Sequence, residues 1–166
     1  DQDACSFGTG SGEKASIFTD EDAQQAWAKY ARLHTRLFPY LFTLAQTAHL
    51  SGAPVMRHLF LEHPDELNLA SMDDTYYLGS GLLVAPVVVR GARTREVQLP
   101  DAAYLFLDEE RVVQGPGPVT VDAPLERLPL FLREGELVPL LDATIDTLAE
   151  EDNEAVVGPG DVSDVY

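Results

Sequence analysis

The chain has 166 residues, which suffices for one domain or for a small domain with attached segments and excludes two large domains. Lys and Arg total 11 against 28 Asp and Glu, so the formal charge of −17 argues against unaided binding to the phosphate backbone of nucleic acid. The hydrophobic content of 45% is typical of a globular protein with a core, and no run reaches the roughly 18–20 apolar residues that span a bilayer.

The first predicted elements are a loop and a long helix. Residues 1–18 are rich in glycine and small polar residues, which is typical of an irregular loop, and Thr19 is the predicted N-cap of the helix. Residues at spacings of three and four then define one helix face: Ala23, Trp27, Tyr30, His34, Leu37, Leu41, Leu44 and Ala48. Gly52 is expected to end the helix. An internal proline should kink it, so that two segments meet near Phe38–Pro39.

After Gly52 the pattern changes to short apolar runs separated by Gly and Pro, which predicts a β domain of the sandwich type. The eight candidate strands are His58–Glu62, Tyr76–Leu78, Leu82–Val88, Thr94–Leu99, Tyr104–Leu107, Val119–Val121, Leu128–Arg133 and Leu137–Leu140. Pro86 and Pro129 interrupt two of these runs, as is typical of edge strands, bulges or strand starts. Residues 113–118 are predicted to form a turn or surface loop. Residues 143–164 contain no Lys or Arg and are predicted to form an acidic connector.

Both ends of the sequence lead us to expect a piece of a longer chain. The first residue is Asp1 rather than Met, and no charged segment followed by an apolar segment resembles a signal peptide. The last residues, Val162–Tyr166, have the composition of a strand that is just beginning.

Clusters of acidic residues are the first candidates for chemistry, because glycosidases use a pair of carboxylates. The clusters are Asp20–Asp22, Asp73–Asp74, Asp108–Glu110 and Glu150–Asp152. Residues adjacent in sequence do not converge across a cleft, since neighbours on a strand point to opposite faces. We therefore predict helix-start, turn and surface roles for these acids.

The positions of the histidines and the cysteine in the sequence do not predict a metal site. The spacings of His34, His49, His58 and His63 do not match those of zinc sites, and His34 is predicted to be a hydrogen-bonded core residue of the helix. Cys5 is the single cysteine and has no nearby basic group to activate it.

Two further patterns are also assigned structural roles. The glycine-rich stretch of residues 6–12 lacks the lysine and the preceding strand of a phosphate-binding loop. The helix aromatics, such as Trp27 and Tyr30, could stack on sugars, but their helical spacing favours a core role. The residues taken alone predict no catalytic, cofactor-binding or metal-binding residue.

Four ordered segments carry a family resemblance. They are residues 30–44 (YARLHTRLFPYLFTL), 52–61 (GAPVMRHLFL), 77–87 (YLGSGLLVAPV) and 119–139 (VTVDAPLERLPLFLREGELVP). Together they closely resemble glycoside hydrolase family 31, which includes α-glucosidases and α-xylosidases. In that family an R-x-x-L-x-P-Y-L-Y-type helix closes the (β/α)8 barrel, and a P-V-M-R-P-L-F strand opens the proximal C-terminal β-sandwich.

The resemblance implies a retaining mechanism with two carboxylates on barrel strands upstream of all residues present here. No catalytic residue, cofactor or metal ligand can therefore be assigned to this chain. The sequence also departs from the family pattern at three places. Ser80 replaces a common Asp, Tyr104–Leu107 replaces a W-Y-D-Y-W-like strand, and Glu13–Ala15 occupies the approximate place of an E-P-W-like motif.

The resemblance and the residue patterns together give one expected architecture, mainly β. An antiparallel β-sandwich (52–142) is preceded by a loop and a long kinked helix (1–51) that belong to the end of a (β/α)8 barrel, and an acidic connector (143–166) leads towards a distal domain. The chain is expected to be the structural C-terminal portion of a retaining glycoside hydrolase acting on α-glycosidic bonds. Its helix face, with Trp27, Leu37, Leu41 and Leu44, is expected to pack on the barrel of the parent chain.

Two alternatives remain open at this point. One is a non-catalytic carbohydrate-binding module that uses Tyr76, Tyr77 and Tyr104 as a stacking platform. The other is a catalytically inactive family member that serves as an accessory subunit.

Overall fold

A computed structural model describes residues 20–145, 147–148 and 162–165, the last four by their backbone only. The helices are α1 (Glu21–Arg36), α2 (Phe38–Ser51) and α3 (Leu59–Glu62), and a 3₁₀ segment spans Leu67–Ser71. The strands are β1 (Met56–His58), β2 (Tyr76–Leu78), β3 (Leu82–Val84), β4 (Thr94–Leu99), β5 (Ala103–Phe106), β6 (Arg111–Gln114), β7 (Gly117–Asp122), β8 (Leu130–Arg133), β9 (Pro139–Leu141) and β10 (Val162–Val165).

The two helices at the start of the described chain form one interrupted helix, as predicted. Asp20 caps α1, because its side chain accepts a hydrogen bond from the Ala23 amide at 3.0 Å, whereas the predicted cap Thr19 lies outside the described residues. The helix breaks at Leu37, and Pro39 lies in the first turn of α2, where its missing N–H costs nothing. Gly52 ends α2 in the left-handed conformation with φ +77°.

The strands form an antiparallel sheet of six strands, in the order β1-β2-β3-β8-β5-β6, and two separate pairs, β4-β7 and β9-β10. Residue registers place Leu83 opposite Phe131 and Leu82 opposite Leu132 on adjacent strands. Because side chains alternate along a strand, these two pairs point to opposite faces of the six-stranded sheet. The predicted class, an antiparallel β-sandwich after a kinked helix, is confirmed.

One core lies between the six-stranded sheet and the β4-β7 pair. The large sheet contributes Tyr77, Leu83, Tyr104, Phe106, Val113 and Phe131, and the β4-β7 pair contributes Val97, Leu99 and Val121. Leu59 and Leu69, from α3 and the 3₁₀ segment, close one end of this core. These two segments therefore belong to the sandwich and not to its surface loops.

A second core lies on the opposite face of the sheet, beneath the helices. It joins Leu37, Tyr40 and Leu44 of the helical segment to Leu82, Val84, Leu132, Val138 and Leu140. The expectation that Leu37, Leu41 and Leu44 need a further domain to cover them is wrong, because Leu37 and Leu44 are buried within this chain and Leu41 packs against the same cluster. The helices, the six-stranded sheet and the β4-β7 pair thus form three layers.

Six of the eight predicted strands have different bounds in the structure. Strand β5 is Ala103–Phe106 instead of Tyr104–Leu107, and β7 is Gly117–Asp122 instead of Val119–Val121. The run His58–Glu62 contains only the last residue of β1 and then turns into α3, where the His58 ring accepts a hydrogen bond from the Phe60 amide at 3.1 Å. The run Leu82–Val88 keeps its strand only to Val84. Strands β8 and β9 begin two residues later than the predicted strands Leu128–Arg133 and Leu137–Leu140.

The turn or loop predicted at residues 113–118 is shorter in the structure. Strand β6 extends to Gln114 and β7 begins at Gly117, so only two residues connect them. A cis bond between Gly115 and Pro116 forms this connection. Strand β10 agrees with the strand expected near Val162 and pairs with β9, whereas most of the predicted acidic connector lies outside the described residues.

Candidate functional site

Three acids of the predicted clusters, Asp20, Asp74 and Asp108, have structural partners. Asp74 forms an ion pair with Arg95 at 2.7 Å. Asp108 lies 3.8 Å from Arg127, and partial burial raises the pKa of the Asp108 carboxyl while this guanidinium opposes the rise. The cap formed by Asp20 confirms the predicted helix-start role, whereas the ion pairs of Asp74 and Asp108 were not predicted from the sequence. Glu150–Asp152 lies outside the described residues.

The four histidines lie in different surroundings in the structure. His34 is exposed, so the predicted core role for it is wrong. His49 is exposed as well, and His58 caps α3. His63 is the buried one: its ring contacts Glu66 on one side and Tyr77 on the other. No group of three or more His, Cys, Asp and Glu side chains that could hold a metal occurs among the residues described, and the expectation of no metal or cofactor stays a prediction.

The tyrosines considered as a sugar-stacking platform do not form an exposed surface. Tyr77 and Tyr104 are buried in the first core, and their hydroxyl oxygens lie 2.6 Å apart. Tyr76 is half-buried and packs against the second core. A ring must be accessible to stack on a sugar, so this trio cannot provide the platform.

A groove of about 360 Å³ lies between α1 and the outer face of the large sheet. Its lining is mostly apolar: Leu33, Leu37, Leu82, Leu105, Leu107, Leu128, Leu130, Leu132, Val138 and Leu140, with Lys29, Tyr30, Arg36, Asp108 and Glu110. The Tyr30 hydroxyl donates to the Glu126 carbonyl at 3.2 Å and accepts from the Leu128 amide, and Arg36 donates to the Leu141 carbonyl at 3.0 Å. These bonds attach α1 to the segment before β8 and to β9.

The Tyr40 side chain joins α2 to the β2-β3 hairpin through two hydrogen bonds. The Tyr40 hydroxyl donates to the Leu78 carbonyl at 2.8 Å and accepts from the Gly81 amide at 3.4 Å. Burial raises the pKa of this hydroxyl, so it remains protonated and can donate. Gly79 leaves the space that the Tyr40 and Leu44 side chains occupy.

An aromatic surface on the helices remains uncovered. We call Trp27, Phe38 and Phe42 the aromatic face; their exposed fractions are 58%, 40% and 53%. The Phe38 and Phe42 rings are neighbours at i and i+4, with centroids 5.9 Å apart. This face lies beside the row of Leu37, Tyr40 and Leu44 that packs on the sheet, so one interrupted helix has one covered and one uncovered apolar surface.

None of the described helices is both long enough and apolar enough to cross a membrane. The described acids also reveal no catalytic role, so the absence of catalytic residues from this chain stays a prediction.

Comparisons with known proteins point to one family. Residues 52–138 match the model of the glycosyl hydrolase family 31 C-terminal domain. The chain is 33% identical to α-glucosidase 2 of Bacillus thermoamyloliquefaciens over 128 residues, and 32% identical to the α-xylosidase of Saccharolobus solfataricus over 129 residues. These alignments cover 77% and 76% of this chain but 16% and 18% of those proteins.

Solved structures agree with the sequence matches. A family 31 dextranase of Flavobacterium johnsoniae, complexed with glucose, has a TM-score of 0.72 at 36% identity, over 77% of this chain and 16% of that one. A family 31 α-xylosidase from a soil metagenome, complexed with xylose, has a TM-score of 0.69 at 37% identity, over 75% of this chain and 19% of that one. The chain therefore spans less than a fifth of the length of these relatives. It belongs to glycosyl hydrolase family 31 and contains the C-terminal domain of that family.

Proposed function

We propose that this chain is the C-terminal portion of a retaining glycoside hydrolase that acts on α-glycosidic bonds, with its catalytic carboxylates on a part of the protein outside these residues. The relatives are named α-glucosidase, α-xylosidase and dextranase, and each is several times longer than this chain. A retaining mechanism needs two carboxyl groups about 5–5.5 Å apart on either side of the scissile bond. Among the acids of the predicted clusters, Asp20 caps a helix, and Asp74 and Asp108 lie in ion pairs.

The role of the chain itself is to hold the catalytic barrel. In this proposal residues 1–51 are the last loop and helix of the barrel, 52–142 are the sandwich, and 143–166 lead onward to a distal domain. The observation that carries the proposal is the aromatic face beside the covered face of the helices. Uncovered apolar surfaces rimmed by polar residues mark interaction sites, and a barrel wall is the surface that the last helix of a barrel would meet.

The aromatic face predicts self-association of the 166-residue chain when it is made alone. The chain is expected to have a mass above 18.2 kDa at high concentration and to bind a hydrophobic dye, because three exposed rings lack their partner surface. The double variant Phe38→Gln/Phe42→Gln should remain monomeric and bind less dye, since Gln maintains the helix but removes the apolar surface. Light scattering after size-exclusion chromatography measures the mass.

The matched control for this experiment is Leu50→Gln, which removes an apolar side chain that is 84% exposed at the other end of α2. This variant is expected to associate as the unaltered chain does. A chain that stays monomeric at high concentration and binds no dye would contradict the role of the aromatic face.

The chain alone is also predicted to be catalytically inactive. Purified chain should release nitrophenol from nitrophenyl α-glucoside and α-xyloside no faster than a heat-denatured sample, because it lacks the pair of carboxylates. A longer protein that contains the chain and the barrel should hydrolyse at least one of these substrates. Release above the denatured background by the chain alone would overturn the placement of the catalytic carboxylates outside it.

A further inference from the structure

A row of polar side chains, of which Glu66 is partly exposed at 22% and the others are buried, connects the segment after α3 with the first core. Glu66 Oε1 lies 3.1 Å from His63 Nδ1, and His63 Nε2 lies 3.1 Å from the Tyr77 hydroxyl oxygen. The Tyr77 oxygen in turn lies 2.6 Å from that of Tyr104. The His63 side chain is 8% exposed, and both tyrosines are fully buried. Glu66 also accepts a hydrogen bond from the Asp101 amide at 3.0 Å, which fixes its carboxylate.

The donors and acceptors in this row have one consistent arrangement. A carboxylate only accepts, so the His63 Nδ1–H donates to Glu66. The Nε2 atom of the neutral ring is then an acceptor, and the Tyr77 hydroxyl donates to it. The Tyr77 oxygen accepts from the Tyr104 hydroxyl. All three hydrogen bonds are therefore made when His63 is neutral.

Protonation of His63 disturbs this arrangement. Nε2 becomes a donor to the Tyr77 oxygen, so the Tyr77 hydroxyl must turn and donate to Tyr104. The Tyr104 hydroxyl has no second hydrogen-bond partner among the described residues, so its hydrogen is left without an acceptor. An unsatisfied buried donor costs free energy, and burial of the charged ring away from water costs additional free energy.

The charged and titratable groups that surround the His63 ring have opposing effects on its pKa. They are Glu62, Glu66, Asp101 and Arg133, with the tyrosines Tyr77 and Tyr104. Burial and then the Arg133 guanidinium lower the pKa of His63, and the three carboxylates oppose them in part. The net direction is a lowered pKa. Burial raises the pKa of both tyrosines, so neither supplies a negative charge to hold a protonated ring.

We propose that the row Glu66–His63–Tyr77–Tyr104 is a pH-sensitive clasp, which holds residues 59–71 against the sandwich while His63 is neutral and weakens when His63 is protonated. The clasp joins α3 and the 3₁₀ segment to β2 and β5, which are separate strands of the large sheet. It does not depend on the glycosidase activity proposed for the parent protein.

The direction of the pH effect follows from linkage. Because the pKa of His63 is lower in the folded chain than in the unfolded one, the unfolded chain binds more protons between the two values. The contribution of His63 to stability is thus fully present above the unfolded pKa of about 6.5 and is lost as the pH falls towards the folded pKa.

Two measurements on the full 166-residue chain test the clasp. Nitrogen-15 NMR of the unaltered chain should show His63 as the Nδ1–H tautomer at pH 7.5, with a titration midpoint below the usual histidine value of about 6.5. The melting temperature of the unaltered chain should fall between pH 7.5 and pH 5.5, and this fall should be smaller by about 2 °C or more in His63→Gln. The matched control His34→Gln should keep the full fall.

Either of two results would overturn the proposal. One is an Nε2–H tautomer of His63 at pH 7.5, or a titration midpoint of His63 at or above about 6.5. The other is an equal fall in melting temperature in the unaltered chain and in His63→Gln. The NMR measurement uses the unaltered chain, so it decides the question even if His63→Gln fails to fold.

Discussion

Replacing Phe131 with alanine is expected to lower the free energy of unfolding by about 3–5 kcal/mol. Phe131 is fully buried in β8, opposite Leu83 on one neighbouring strand and Phe106 on the other. Its ring centroid lies 5.0 Å from that of Phe106. The substitution removes the ring from the centre of the first core, and the surrounding strands, held by their hydrogen bonds, cannot collapse into the space.

Urea denaturation followed by circular dichroism measures this loss. The control is Leu125→Ala, which truncates a side chain that is 70% exposed and should change the free energy by no more than about 0.5 kcal/mol. A typical domain is stable by about 5–15 kcal/mol, so the Phe131→Ala loss is a large part of the total. A loss below about 1 kcal/mol would mean that the face between the sheet and the β4-β7 pair is not a closely packed core.

Replacing Gly79 with alanine is expected to lower the free energy of unfolding by about 2–4 kcal/mol. Gly79 has φ +67° in the β2-β3 turn, a conformation in which a side chain costs about 1 kcal/mol. An added Cβ would lie 2.7 Å from Leu44 Cδ2 and would also clash with the Tyr40 hydroxyl. Overpacking of this kind adds about 1–3 kcal/mol, and relieving it would push α2 away from the hairpin.

Gly91→Ala separates the two causes of the Gly79→Ala effect. Gly91 has φ +80°, but an added Cβ would meet no atom within 4 Å, so only the conformational cost of about 1 kcal/mol is expected. Chemical denaturation of both variants gives the difference. Equal losses in the two variants would contradict the close packing of α2 on the β2-β3 hairpin.

The helical part of the fold could be predicted because local residue chemistry determines it. A proline without an N–H removes a helical hydrogen bond, and a glycine adopts the left-handed conformation at a helix end. The break at Leu37 and the end of α2 at Gly52 follow these rules. The buried side of the helix was predicted less accurately. His34 was expected in the core, but its neighbour Leu33 packs against the second core and His34 itself is exposed.

The strands could be predicted where apolar and polar residues alternate clearly. They could not be predicted where pairing with another strand determines the strand bounds. Tyr76–Leu78 and Thr94–Leu99 have the predicted bounds. Strand β6 was missed because Gly and Pro follow it directly, whereas its pairing with β5 extends the strand to Gln114. The run after His58 has strand-forming residues, yet it bends into α3 so that Leu59 reaches the first core.

The clasp could not be found from sequence, because its members become neighbours only through sheet formation. His63 and Glu66 are three residues apart, which is the one local signal. Tyr77 and Tyr104 lie 27 residues apart in the chain and meet because β2 and β5 belong to one sheet. The docking surface could be predicted only in part. The exposure of Trp27 agrees with its expected place on that surface, but the core role that its helical spacing favoured is wrong. Phe38 and Phe42 were not among the residues predicted for the docking surface.

The central claim is that this chain works as the C-terminal portion of a larger hydrolase, and the mass of the native product tests it most directly. An antibody raised against residues 60–140 should detect, in an immunoblot of the source cells, a band several times larger than 18.2 kDa. That result would place the catalytic carboxylates in the additional chain. A single band at 18.2 kDa would contradict the claim, because a chain of that size has no room for a catalytic barrel.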